Sequence, residues 1–289
     1  MQENSHRAYY KKQTNDSDLA LERRRADSDV PGIQYEKNEC EAGTWERITV
    51  SSIEGERSIG RPCGNYDTLT VGRTDLLSQS EIEDAANEVA KELCRMVDEL
   101  HVIPERILVV GLGNPELTPD SIGPKTASMV NATMHLKTFD RKTFLNFECS
   151  EIAVFVPGVM AKTGIESSEA VISIAERFNP DVVFAIDALA SRAAERLGST
   201  IQISNTGIFP GSGIGNRRAP INESSLGIPV IAIGVPTVIN AALLHCETGN
   251  TDEASSVDGM FVSPREIDDV VSSCAKIISG GINQAFGTL

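Results

Sequence analysis

Two alternating patterns of apolar residues run along this chain. Short runs rich in Val and Ile occur at ILVVGL (107–112), IAVFV (152–156), VVFAID (182–187), TIQIS (200–204) and PVIAIG (229–234). Each reads as a strand buried on both faces. Between them the spacing becomes helical. Ser80 with Glu83 forms a candidate capping box before a long helix in which Ile82, Ala85, Val89, Leu93 and Met96 recur. Thr118 with Pro119 marks a helix start after the first run, and Thr163 with Glu166 marks one after the second. A helix carrying Arg192 and Glu195 is expected after the third run, and Ser263, Pro264 and Glu266 open the last helix. Upstream, TWERITV (44–50) and YDTLTV (66–71) alternate like strands. Strands alternating with helices predict an α/β fold with three αβα layers and a largely parallel central sheet, in one domain over about residues 36–289. Residues 1 to about 35 are polar and charge-rich, and are expected to be mobile or loosely docked.

Composition narrows the function without naming it. The chain has 289 residues, 40% of them hydrophobic, enough for a substantial core. Its formal net charge of −15 argues against binding to nucleic-acid backbone or to an anionic membrane surface. No apolar run reaches the ~18 residues of a membrane span. The N-terminal MQENSHRAYYKKQTNDSD lacks the apolar core of a signal peptide, so a cytoplasmic protein is expected. Six cysteines are scattered without a CxxC pair, as free thiols in a reducing compartment would be.

In an α/β sheet, ligands gather where the carboxyl ends of strands meet the loops. Two aspartates fall there. Asp120 lies in GLGNPELTPDSIGP (111–124), which has neither GKS/GKT nor dinucleotide-fingerprint spacing. Asp187 lies in AIDALASR (185–192), at the end of an apolar run. Each could simply decorate or cap a helix start. Together they could share a proton, one serving as base toward water and the other as acid toward a carbonyl, as peptide hydrolysis requires. Neighbouring loops supply Gly113, Asn114, Gly158, Thr163, Gly211 and Gly213 as candidates for lining a bound peptide. Arg217 and Arg218 could bind acidic substrate residues or stand solvated. None of His6, His101, His135 and His245 has zinc spacing, and no GxSxG elbow is present. No cofactor is expected. A metal-dependent peptidase, with Asp120, Asp187 and Glu116 or a His as ligands, is an alternative. So is a protein that binds peptides without cutting them.

The stretches SIGRPCGNY (58–66), GLGNPELTPDSIGP, VPGVMAKTGIESSE, AIDALASR, TIQISNTGIFPGSGIGNRR and LGIPVIAIGVPTV resemble, in order and spacing, the germination (spore) protease family. The resemblance implies an endopeptidase that degrades small acid-soluble spore proteins in the cytoplasm of the germinating spore core. It implies an atypical aspartic peptidase related in architecture to hydrogenase maturation endopeptidases, with Asp120 and Asp187 as the catalytic pair. It also implies a homotetramer made as a self-processing zymogen. The family's processing region usually reads RTDLA followed by an acidic residue. Here Asn15-Asp16-Ser17-Asp18-Leu19-Ala20-Leu21-Glu22 keeps DLALE but lacks the Arg-Thr pair. Cleavage is therefore expected near Ser17, Asp18 and Leu19, dividing a propeptide of residues 1–17 from a peptidase domain of residues 18–289.

Overall fold

Nine strands among the described residues join in one sheet: β1 Ile33–Cys40, β2 Gly43–Val50, β3 Gly64–Thr70, β4 Arg106–Gly111, β5 Glu151–Phe155, β6 Val182–Ser191, β7 Thr200–Ser204, β8 Val230–Asn240 and β9 Phe261–Val262. The computed structural model describes residues 17–24, 30–140, 144, 149–211, 219–247, 257 and 259–287. Strand order is β1-β2-β3-β7-β8-β6-β4-β5, with β9 paired to β8. The β5, β4, β6 and β8 pairings are parallel, and those of β8 with β7 and onward to β1 are antiparallel. The α/β class and the covered central sheet hold. Parallel pairing is concentrated in the half whose strands are joined through helices.

Alternation along β6 sorts its side chains. Val182, Phe184 and Ile186 enter the core beneath the helices Gln79–Glu99 and Ile267–Phe286, whereas Val183, Ala185 and Leu189 enter the opposite core with Val171 and Phe178 of the helix Ser167–Phe178. Phe184 stacks on Phe286 with ring centroids 5.3 Å apart. A third cluster joins Ile48, Val50, Ile59 and Tyr66 to Ala20.

Several elements differ from expectation. The long helix is capped by Ser78 rather than Ser80. The Ser78 Oγ accepts from the Glu81 N–H and the Glu81 carboxylate accepts from the Ser78 N–H, so the earlier of two overlapping S-x-x-E patterns sets the start. The last helix begins at Ile267, with Glu266 rather than Ser263 at its cap. Thr163 ends a four-residue helix, and Glu166 caps the next one. Only the 3-10 turn Ala194–Arg196 follows β6, because the strand itself continues through Ser191. β8 likewise continues past Gly234 to Asn240, through Pro236. Proline cannot donate to a ladder. The β6–β8 register shifts at Leu189/Ala190, opposite Pro236.

A charged cluster lies under the helix Gln79–Glu99. Asp67 and Glu92 are almost completely buried. Arg47 Nη2 donates to Glu92 at 2.7 Å, Arg95 Nε donates to Glu92 at 2.8 Å, and Arg95 also pairs with Asp67. Burial and the adjacent Glu92 push the Asp67 carboxyl up to about 8, against the pull of Arg95 and Arg47. Burial also works on Glu92, but hydrogen bonds from Asp67, Arg95 and Arg47 outweigh it and hold Glu92 low. The shared proton therefore sits on Asp67. The folded chain keeps this proton at pH values where the unfolded chain, with an ordinary Asp near ~3.9, has lost it. Stability from this source is complete below about pH 4 and declines as pH rises toward about 8, by at most ~1.4 kcal/mol per pH unit. Asp67→Asn should flatten this decline. Urea unfolding at pH 5 and pH 8 checks it: wild type should lose more stability over that interval than the variant, and equal losses would show that Asp67 holds no proton.

Candidate active site

Asp120 is placed by a turn that its own backbone closes. β4 ends at Gly111 and the chain reverses through the 3-10 turn Thr118–Asp120, where the Asp120 N–H donates to the Leu117 carbonyl at 2.8 Å. Thr118 does not cap a helix through its side chain; the helix that follows is Ile122–Ala127. The Asp120 Oδ2 accepts from the Asn114 N–H at 2.9 Å. Gly113 has φ +112°, and a Cβ there would lie 2.0 Å from the Asp120 carbonyl oxygen. Only glycine permits this close approach. Gly123 fits as tightly, since a Cβ there would lie 2.2 Å from the Leu112 carbonyl oxygen and 2.5 Å from that of Ile186.

Asp187 lies within β6, on the face away from the two long helices, and is buried. Its Oδ1 accepts from the Ala188 N–H at 2.9 Å. It caps no helix. Asp120 and Asp187 line one cavity of about 290 Å³, walled by apolar side chains that include Leu117, Val159, Leu189 and Phe261. Apolar walls strengthen any charge interaction within.

The other candidate residues divide. Gly113 and Gly211 line the cavity, and Asn114 holds Asp120 through its N–H. Gly158 and Thr163 stand behind Val159, outside the lining. Gly158 accepts from Ser167 Oγ through its carbonyl, and Thr163 bonds Ile165. Gly213, Arg217, Arg218 and His6 lie outside the described residues. His101 and His135 are exposed and are not among the residues that line the cavity. Glu116 pairs with Lys162. Among the described residues, no group of three or more His, Cys, Asp or Glu side chains could hold a metal ion. No described helix is long and apolar enough to cross a membrane.

The largest departure from expectation is the segment 17–24. It is neither mobile nor loosely docked: Ser17, Leu19 and Ala20 are completely buried, and Asp18 lines the same cavity as Asp120 and Asp187. Composition hid this because four or five residues carry the docking within a polar surround. The register shift in β6 provides the berth. The Asp18 N–H donates to the Ala190 carbonyl at 2.9 Å, and the Ala190 N–H donates to the Asp18 carboxylate at 3.0 Å. Arg61 Nη2 reaches that carboxylate at 3.3 Å. Leu19 packs beside Leu189, Ile208 and Ile221 in the core. The Glu22 carboxylate accepts from Ser191 Oγ at 2.6 Å, from the Arg192 N–H at 2.7 Å and from the Ala193 N–H at 3.1 Å. These donors converge on a carboxylate as a backbone nest does.

Residues 10–250 match the profile of a peptidase family described as germination protease. The germination protease of Caldanaerobacter subterraneus subsp. tengcongensis is 38% identical over 306 residues, covering 93% of both chains. That of Clostridium perfringens is 38% identical over 314 residues, covering 93% of this chain and 94% of the relative. That of Bacillus cereus is 40% identical over 232 residues, covering 80% of this chain and 62% of the relative. Among solved structures, a NiFe hydrogenase maturation protease from Thermococcus kodakarensis aligns at TM-score 0.37 and 16% identity, over 65% of this chain and 99% of its own. At that score the likeness supports no inference.

Removing the Glu22 carboxylate would leave its buried donors without their acceptor, a loss of about 1–3 kcal/mol. Glu22→Ala should release the segment while leaving the sheet intact. Hydrogen exchange at residues 18–24 should quicken about 5- to 150-fold, in proportion to that loss. Unchanged protection would show that Glu22 does not hold the segment.

Proposed function

The chain belongs to the germination protease family, and from that premise we propose that it is an endopeptidase that cuts small acid-soluble spore proteins when a spore germinates. In this reading it acts in the spore core, as a homotetramer made as a zymogen. Asp120 and Asp187 form an aspartic-type dyad. The observation that carries the reading is that these two carboxylates line one cavity with Asp18, in a docked segment that is extended through Leu19 and turns into a short helix at Ala20–Arg23.

Two carboxylates facing one water do not both ionise cheaply, so one proton is shared between them. The ionised carboxylate takes a proton from water as the water oxygen bonds to the carbonyl carbon. The protonated carboxyl gives its proton to the carbonyl oxygen. As the tetrahedral intermediate collapses and the C–N bond breaks, the departing nitrogen takes the proton that the first carboxyl gained from water, and one hydroxyl of the intermediate returns its proton to the second carboxylate, restoring the dyad. The apolar walls exclude bulk water from these steps.

The docked segment supports the zymogen reading. The Asp18–Leu19 bond falls within the window expected for processing, and its surroundings are those a substrate would meet. Arg61 faces the acid before the bond, a closed apolar site takes Leu19, and the Ser191–Ala193 nest takes the acid three residues after Leu19. A chain cut there would release the cleft to other peptides.

Asp120→Asn and Asp187→Asn should each slow self-cleavage and peptide cleavage by about 10²–10⁴-fold, as expected for loss of general acid–base catalysis, with little change in melting temperature. A chelator should leave wild-type cleavage unaltered. Normal cleavage by both variants would exclude the dyad, and cleavage abolished by the chelator would favour a metal mechanism instead. N-terminal sequencing of the processed chain should begin within the Ser17–Leu19 window.

A further inference from the structure

We propose that Gln202 is a further catalytic residue, whose side-chain amide clamps the peptide bond to be cut. Its Nε2 donates to the carbonyl that water attacks, and its Oε1 accepts from the N–H two residues further on. This rests on the reading above, in which the Asp18–Leu19 bond stands where a substrate bond stands.

The position of Gln202 follows from the sheet. Ile201 and Ile203 of β7 enter the core under the long helices, so Gln202 projects from the opposite face, the face of Asp187. Gly234 of β8 pairs with Asp187 on one side and with Gln202 on the other. The two side chains therefore stand in one row across three strands, about 9–10 Å apart at the backbone by strand spacing. Gly234 between them carries no side chain. Leu189 folds over it, and a Cβ on Gly234 would lie 2.4 Å from that leucine. The docked segment meets this row at Gln202.

Gln202 is buried, and a buried amide must spend its donors and acceptor on partners. Both ends go to the segment. Ala20 N–H donates to Oε1 at 2.8 Å, and Nε2 donates to the Asp18 carbonyl at 3.4 Å. The amide's orientation is fixed by its partners, because an N–H can meet only Oε1 and a carbonyl can meet only Nε2. The Asp18 carbonyl belongs to the bond joining Asp18 to Leu19, and the Ala20 N–H belongs to the next peptide group. The clamp thus holds two successive peptide groups, one on each side of Leu19. In the ground state its carbonyl contact is long. It gains strength as the C=O π pair moves onto oxygen and negative charge develops there, and this difference lowers a barrier. Gln202 neither gains nor loses a proton; the dyad carries those. A residue that merely glued the segment down would bind it equally before and during the reaction.

Gln202→Glu keeps the acceptor for Ala20 and removes the amide donor to Asp18. In the full-length chain, self-cleavage should slow by about 10²-fold or more, the loss typical of one oxyanion donor, while residues 18–24 stay protected from hydrogen exchange. Cleavage within about threefold of wild type would overturn the proposal, as would a slowing fully matched by lost protection. A second measurement does not depend on the variant folding. Processed wild-type protein, its own segment cut and the cleft released, is given a synthetic peptide of residues 12–26 and the same peptide N-methylated at Ala20. The methylated peptide should be cut at least ~10-fold more slowly, since it denies Oε1 its partner; equal rates would overturn the clamp. Asp187→Asn, measured in parallel, separates the two ideas. If it is inactive while Gln202→Glu is active, Gln202 alone is discarded. If it is active, the dyad reading falls and the clamp falls with it.

Discussion

A peptide can lie along a sheet only where the sheet has left backbone groups for it. The docked segment meets that condition at the register shift of β6 at Leu189/Ala190, opposite Pro236 of β8. Proline brings no N–H to the ladder, and past this point both the N–H and the carbonyl of Ala190 turn to Asp18. Much of the site depends on that irregularity. It sets Asp18 in the cavity that Asp187 lines, seats Leu19 in the core, and lines up Ser191, Arg192 and Ala193 to receive Glu22. A regular continuation of the parallel pair would have closed the berth.

The aspartates are held in different ways, and the difference suits two roles. Asp187 sits within a buried strand and cannot move without the sheet. Asp120 sits on a short turn, fixed by the Asn114 N–H and by the glycine-only approach at Gly113. Gly123 brings this turn against β4 and β6. The two carboxylates are thus joined through backbone packing over a short path, although 67 residues separate them by number (187 − 120).

Much of this was legible in the sequence. The Val- and Ile-rich runs disclosed β4, β6, β7 and β8, because burial on both faces demands apolar residues at every position. Their far ends were not legible. Ala188 to Ser191 and Val235 to Asn240 are extended because neighbouring strands hold them, and Pro236 would by local rules have ended a strand. The start of the long helix was two residues off because two capping patterns overlap there. β1 went unread in a polar stretch, since an edge strand needs little apolar content. Asp120 and Asp187 stood out as candidates by their strand-end context, and the fold brings both to one cavity. Gln202 did not stand out, because nothing local marks a glutamine in TIQIS. Its place shows only when the register through Gly234 is known.

In the proposed reading the docked segment is also a tethered competitor. A ligand on the same chain acts at an effective concentration set by its leash, in the millimolar range for short flexible connections. Any outside peptide meets a cleft that is open only for the fraction of time the resident segment is away, and its apparent affinity is reduced by that fraction. Severing a few residues at one end would therefore change the protein's appetite for peptides by orders of magnitude, without altering a single side chain of the cleft.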